Sequence, residues 1–166
     1  YNTPGALNPG QGNGTTGNET IDTGMRISEF LPNPIGSDSQ TGMDGEWVEL
    51  VNTGNQTVDL TGWELRSGSG YNLPSSSLAP GEYAVFPLGG ESITLTNAQG
   101  TLKLNDPQGI SVHTVVWDHS AYGMSMVPGL SSSQMWVVGA WPTPGEANHI
   151  FEQPYSGPTE VLMSEV

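Results

Sequence analysis

An acidic, glycine-rich loop at residues 36–46 contains the side chains best suited to hold a cation. It contributes Asp38, Asp44 and Glu46 within one short stretch. Ca²⁺ is bound by about six to eight oxygen atoms, which loops supply as carboxylates and backbone carbonyls. The spacing is not that of an EF-hand. We expect a calcium ion here to stabilise the loop and not to act in a reaction. A solvated acidic loop without a metal is the alternative.

Two further carboxylates fall within apolar strand patterns. Alternation places Glu49 on one face with Trp47, and Glu29 on one face with Ile27 and Leu31. A buried carboxylate must be hydrogen-bonded, paired with a cation or bound to a metal. Because the chain has only 3 Lys and Arg residues, backbone N–H groups, hydroxyls or a metal must do most of this. We expect either carboxylates that tie a loop to the sheet, such as the turn Thr143-Pro-Gly-Glu-Ala-Asn148, or further ligands of Ca²⁺.

The sequence does not predict a catalytic centre. His113 and His119 lack the spacing of a zinc hydrolase, although a zinc site formed by both with a carboxylate remains an alternative. There is no Gly-x-Ser-x-Gly turn and no phosphate-binding glycine loop. Without a nucleophile and a base, we assign no catalytic residue, require no cofactor and predict that the domain is not an enzyme.

Aromatic residues in loop-like segments form a second kind of candidate site. Their rings could stack on sugars if they are exposed, or they could pack over the open ends of a β-sandwich. The four residues are Tyr71, Tyr122, Trp136 and Trp141.

The charge of the chain restricts its partners. There are 17 Asp and Glu residues against 3 Lys and Arg, which gives a net charge of -14. Binding nucleic acid or an anionic bilayer requires cations that neutralise phosphate. We therefore expect neither nucleic-acid binding nor membrane insertion. The absence of cysteine excludes disulfides and thiolate metal sites.

The pattern between residues 25 and 148 is that of β-strands separated by Gly, Pro and Asn turns. Strands recur at a spacing of roughly ten residues, as in a sandwich or barrel. We predict strands at 25–31, 46–52, 57–60, 63–66, 82–86, 93–96, 101–104 and 110–116. The aromatic residues predicted for the core are Trp47, Trp63, Tyr83, Phe86 and Trp117.

Two motifs at the start of the chain recur near its end. Thr3-Pro-Gly-Ala-Leu-Asn8 is echoed by Thr143-Pro-Gly-Glu-Ala-Asn148, and Met25-Arg-Ile-Ser-Glu-Phe30 by Val161-Leu-Met-Ser-Glu-Val166. The two echoes have similar spacings, 140 and 136 positions. We therefore expect residues 1–24 to be a linker and the tail of a preceding repeat, and residues 150–166 to be a linker and the first strand of a following one. Residues 25–149 would be one domain.

Six motifs, taken in order across residues 25–148, resemble the lamin-tail domain family in its prokaryotic form. The segments are Ile27-Ser-Glu-Phe-Leu-Pro-Asn-Pro34, Glu46-Trp-Val-Glu-Leu-Val-Asn52, Val58-Asp-Leu-Thr-Gly-Trp-Glu-Leu65, Leu78-Ala-Pro-Gly-Glu-Tyr83, Leu102-Lys-Leu-Asn-Asp106 and Thr143-Pro-Gly-Glu-Ala-Asn148. The resemblance implies an all-β, immunoglobulin-like β-sandwich of two packed, mainly antiparallel sheets. It also implies an accessory module on a secreted or surface protein.

These observations together lead to a functional expectation. We expect a non-catalytic repeat module, extracellular or at the cell surface, that serves in spacing, adhesion or protein–protein contact. Its partners would be other copies of the module or a surface protein, and Ca²⁺ could stabilise it. Three N-glycosylation sequons, beginning at Asn13, Asn18 and Asn55, agree with an exterior location. The alternative is a carbohydrate-binding module attached to a secreted hydrolase.

Overall fold

The computed structural model describes residues 23–129, 136–139 and 141–148. Of the expected linker and repeat segments at 1–24 and 150–166, residues 1–22 and 150–166 lie outside the described residues. The strands are β1 (Met25–Leu31), β2 (Trp47–Asn52), β3 (Val58–Asp59), β4 (Glu64–Ser67), β5 (Ser69–Asn72), β6 (Ser77–Leu78), β7 (Tyr83–Pro87), β8 (Gly100–Asn105), β9 (Ser111–Trp117), β10 (Met126–Pro128) and β11 (Trp136–Val138). Gly42–Asp44 forms a short 3-10 turn in the acidic loop. Among the described residues, no helix is long and apolar enough to cross a membrane.

Two antiparallel sheets form the two layers of the molecule. One has five strands in the order β11-β10-β1-β2-β7, and the other has four in the order β5-β4-β8-β9. The short strands β3 and β6 form a separate pair. Strands that are adjacent in a sheet but distant in sequence, such as β1 and β10, show that the chain crosses between layers. The predicted immunoglobulin-like sandwich is confirmed.

The hydrophobic core lies between the two large sheets. Trp63, Phe86 and Trp117 pack in it, as the sequence predicts. Trp47 and Tyr83 do not, because alternation along β2 and β7 turns both residues to the opposite, outer face of the five-stranded sheet. Trp47 is nevertheless only 1% exposed, so another part of the chain must cover this outer face.

A β-bulge in β1 reverses the side-chain alternation predicted for this strand. The register with β2 shifts between Ile27 and Glu29, so Ser28 is an extra residue. Ile27 and Phe30 therefore pack in the core, while Glu29 and Leu31 lie on the outer face. The prediction that Ile27 shares a face with Glu29 is wrong for this reason.

The predicted strand at 93–96 does not form. Ile93 and Leu95 are buried in the core, but the backbone N–H of Leu95 donates to the side chain of Glu46, with 3.1 Å to each oxygen. A carboxylate thus replaces a neighbouring strand as the acceptor. The apolar alternation at 93–96 therefore predicts the burial of these residues correctly, but its prediction of a paired strand is wrong.

Candidate functional site

Glu29 and Glu49 are directly opposite each other on the outer face of the five-stranded sheet. Both are 0% exposed. The hydroxyl of Ser28 donates to Glu49 Oε1 at 2.5 Å, and the hydroxyl of Ser125 donates to Glu29 Oε1. The bulge positions the first of these donors, because it places Ser28 beside the carboxylate of the neighbouring strand.

Residues 141–148, which we call the closing segment, cover the two carboxylates. Thr143 donates to Glu29 through its backbone N at 3.1 Å and through its hydroxyl at 2.9 Å. The backbone N of Gly145 donates to Glu49 Oε2 at 2.5 Å. The two carboxylates therefore hold the closing segment against the sheet.

A third contact fixes the end of the closing segment. The side-chain amide of Asn148 donates to the backbone carbonyl of Ser28, the bulged residue, at 2.6 Å. Thr143, Gly145 and Asn148 are thus three residues of one short motif that all contact β1 or β2. The sequence indicates this motif both as a repeat marker and as a loop that a buried carboxylate could tie to the sheet, and the structure shows the second role.

The environment of Glu49 disfavours its charged form. Burial raises the pKa of Glu49, and the nearby carboxylate of Glu29 raises it further, whereas the hydrogen bonds from Ser28 and Gly145 act in the opposite direction. The donors of the closing segment thus offset part of the cost of bringing two acidic groups together.

Glu46, the residue immediately before β2, is a separate buried carboxylate and is 1% exposed. Burial raises its pKa to about 7, with a smaller opposing effect of the Leu95 hydrogen bond and a further rise from the charge of Asp38. Its backbone carbonyl accepts a hydrogen bond from the N–H of Leu88 at 2.8 Å. The side chain and the backbone carbonyl of Glu46 therefore each hold a loop against the sandwich.

The five carboxylates proposed as calcium ligands do not come together in one cluster. Asp38 accepts a hydrogen bond from the side chain of Asn97 at 3.2 Å, and Asp44 is exposed in the 3-10 turn. Glu29, Glu46 and Glu49 each accept hydrogen bonds from donors of the protein. Across residues 23–129, 136–139 and 141–148, no three His, Asp or Glu side chains are placed to share a metal ion.

The two histidines of the alternative zinc site have different surroundings. His113 in β9 accepts a hydrogen bond at Nδ1 from the backbone N of Ile27, at 3.0 Å, and so links the two large sheets. Burial lowers the pKa of His113, and the charge of Arg26 lowers it further. His119 contacts Asp118 at the surface, with 2.5 Å between Nδ1 and Oδ1.

The four aromatic residues proposed for sugar stacking divide into two groups. Trp136 belongs to β11 and is buried in the core, 5.3 Å from the ring of Phe30. Tyr71 belongs to β5 and packs partly buried against the same core. Both residues therefore lie in strands and not in the loop-like segments that the sequence predicts, because these strands are too short to be recognised. Their burial is that of the packing alternative and not of an exposed stacking surface. Tyr122 and Trp141 are 65% and 70% exposed.

Trp141 borders an apolar groove on the outer face of the five-stranded sheet. The groove has a volume of about 590 Å³. Leu31 and Trp47 of β1 and β2 contribute to its lining, as do the acidic loop and the closing segment. The lining residues are Leu31, Pro34, Ile35, Gly36, Gln40, Met43, Asp44, Trp47, Gly123, Trp141, Pro142 and Pro144. Sequence reasoning missed this groove, since its residues are far apart in the chain.

Comparison with protein families gives one match that covers more than half of the chain. The family model described as Lamin Tail Domain matches residues 22–119. Comparisons with curated proteins and with solved structures give no significant match. The matched range ends before β10, β11 and the closing segment, which complete the five-stranded sheet and its covering.

Proposed function

The chain belongs to the lamin tail domain family, and from this membership we propose that it is a non-catalytic protein-interaction module. The family is one of immunoglobulin-like domains, in which function depends on surface sites and not on the fold. The observation that carries the proposal is the clustering of exposed apolar side chains around the groove. Contiguous apolar surface on a soluble domain commonly marks an interaction site.

Binding of peptides from a random library tests this function. The chain of residues 1–166 is immobilised, and dodecapeptides displayed on phage are selected on it. We expect enriched peptides that bind the chain in solution with micromolar dissociation constants, measured by calorimetry. If no peptide passes this second step, a role in protein interaction is contradicted.

We further propose that the module repeats in tandem within its parent protein, outside the cell or at its surface. The two echoed motifs support the repetition, because their copies at Ser28-Glu29 and at Thr143–Asn148 are contact partners in the fold. An exposed sequon at Asn55 agrees with an exterior location. Sequencing the parent gene on both sides tests the repetition, which predicts further Ser-Glu strands followed by Thr-Pro-Gly motifs.

Calcium binding stays a prediction for the acidic loop. Asp44 is exposed and Asp38 has one neutral partner, so both side chains are accessible to a cation. Thermal unfolding in Ca²⁺, in Mg²⁺ and in EDTA tests it, because a ligand that binds only the folded state raises the melting temperature. A higher melting temperature in Ca²⁺ alone would support a structural calcium site. Equal melting temperatures in all three conditions would contradict calcium binding.

A further inference from the structure

We propose that the apolar groove binds a linear segment of a partner protein in which an aliphatic anchor side chain lies next to a lysine or arginine. This inference rests on the proposed interaction function and names its site and the chemistry of its partner. It commits to a peptide segment, and a sugar polymer and a second copy of the chain are the occupants that the test must exclude.

Exposed apolar side chains are concentrated at this groove. Ile35, Met43 and Trp141 line it and are 68%, 43% and 70% exposed. Tyr122, which is 65% exposed, lies next to the lining residue Gly123. An anchor side chain that enters the groove would remove several of these surfaces from water at once, and such burial drives most protein association.

The walls of the groove are held in place by hydrogen bonds within the protein. The hydroxyl of Tyr122 donates to the backbone carbonyl of Ile35, and the N–H of Gly123 donates to the carbonyl of Asn33 at 2.7 Å. The opposite wall belongs to the closing segment, which the carboxylate of Glu29 anchors through Thr143. A preformed groove loses little conformational entropy on binding.

The charge around the groove favours a basic partner. Asp44 contributes to the lining, and none of the three basic residues does. Arg66 and Lys103 lie on the other sheet, in β4 and β8. A lysine or arginine next to the anchor would meet the carboxylate of Asp44 and the exposed ring of Trp141, on which a cation can stack.

The same observations disfavour the two other occupants. A second copy of the chain also has a net charge of -14, so like charges would oppose self-association. A sugar needs several polar side chains that fix its hydroxyl groups, whereas Gln40 and Asp44 are the polar side chains in the lining. A groove of this volume accommodates a few side chains of an extended segment.

The test repeats the dodecapeptide selection with variants of the groove in the chain of residues 1–166. The variants are Trp141→Ala, which removes an exposed ring, and Asp44→Asn, which removes the charge. Ile110→Ala is the matched control, because Ile110 is 49% exposed and does not line the groove. Circular dichroism checks that each variant is folded.

The expected result has three parts. First, enriched peptides combine Lys or Arg with Leu, Ile or Pro. Second, Trp141→Ala weakens their binding about tenfold or more, as for a central aromatic residue of an interface. Third, Asp44→Asn weakens their binding about threefold and reduces its salt dependence. Ile110→Ala leaves the affinity unchanged.

Four other results would overturn the inference. Peptides that bind the Trp141→Ala variant as tightly as the wild type would leave the interaction function intact and place it elsewhere. Absence of any enriched peptide would remove both the groove site and the interaction function. Binding to insoluble cellulose, chitin or xylan that Trp141→Ala abolishes would assign the groove to carbohydrate. A dimer in sedimentation equilibrium that Trp141→Ala dissociates would assign it to a second copy.

Discussion

At the scale of single residues, this chain satisfies its buried carboxylates with neutral donors. Glu29, Glu46 and Glu49 are each at most 1% exposed, yet they accept hydrogen bonds from hydroxyl and backbone N–H groups. Within the described residues, every buried side-chain nitrogen or oxygen atom has a hydrogen-bond partner. Removal of one donor should therefore be costly, because the remaining charge cannot reach water.

The substitution Thr143→Val tests one of these donors. It removes the hydroxyl that donates to Glu29 at 2.9 Å and leaves the backbone N–H in place. We expect the free energy of unfolding to fall by about 1–3 kcal/mol, the usual loss when a buried acceptor is left with one donor fewer. Urea denaturation measures it. Thr101→Val, at an exposed position of β8, is the control and should change stability by less than about 0.5 kcal/mol; equal losses would contradict the role of Thr143.

The raised pKa of Glu46 predicts a dependence of stability on pH. Because the pKa of Glu46 is about 7 in the folded chain and its ordinary value is 4.5, the folded chain binds this proton more tightly than the unfolded chain. Stability should therefore fall as the pH rises from 4.5 to about 7. We expect Glu46→Gln, which stays neutral, to gain about 2 kcal/mol relative to the wild type between pH 5 and pH 8, with allowance for solvent screening. Urea denaturation at both pH values measures this difference, and a constant difference would show that Glu46 titrates normally.

At the scale of elements, the bulge in β1 links three separate features. It turns Ile27 into the core, places Ser28 beside Glu49, and directs the N–H of Ile27 towards His113 on the opposite sheet. One inserted residue thus connects the core, the outer face and the second layer. Since a bulge leaves backbone groups outside the ladder, a side-chain acceptor is needed, and His113 supplies it.

The substitution His113→Phe removes this acceptor. We expect the free energy of unfolding at pH 7.5 to fall by about 1–3 kcal/mol, because the N–H of Ile27 is left without its acceptor. The pKa of His113 is lowered in the folded state, so the wild type should gain stability as the pH rises towards 6.5, and the variant should lack this gain. Thermal unfolding at pH 5 and 7.5 measures both effects. His119→Phe, at a surface position, is the control; if it gives the same pH profile as His113→Phe, the link between the sheets is not the cause.

At the scale of the whole molecule, the strands and contacts of the sandwich extend beyond the part that matches the family model. The match ends at residue 119, whereas β10 pairs with β1 at the centre of the five-stranded sheet and the closing segment covers its outer face. Without residues 120–148, the edge of β1 and two buried carboxylates would face water. We therefore expect residues 23–148 to fold as one cooperative unit.

Truncation tests the extent of this unit. A chain that ends at residue 140 lacks Thr143, Gly145 and Asn148, and with them the donors to Glu29 and Glu49. We expect the free energy of unfolding of this shorter chain to be lower by about 3 kcal/mol or more than that of a chain that ends at residue 148. Its melting temperature should be roughly 10 °C lower. Calorimetry of both chains provides the measurement, and equal melting temperatures would mean that the closing segment is not part of the cooperative unit.

The sequence by itself determined the fold class, most of the strands and the burial of Glu49. These follow from local patterns: alternation along 46–52 places Glu49 beside Trp47, and turn residues separate the strands. The bounds of β1 are also those that the sequence predicts. Glu29 is buried as expected, although the alternation from which its burial was predicted is reversed by the bulge at Ser28.

Only the tertiary structure decided how these residues are satisfied and which surface is left open. The bulge at Ser28, the contact between Glu46 and Leu95, and the groove beside Trp141 each join segments that are far apart in sequence. Local alternation cannot reveal such contacts, because whether a polar group needs a metal, a hydroxyl or an N–H depends on what the fold brings next to it. For that reason the sequence identified the buried acids and the kinds of donor that could satisfy them, but not individual donors such as Ser28, Ser125 and Leu95. It also named four aromatic residues, of which two are exposed.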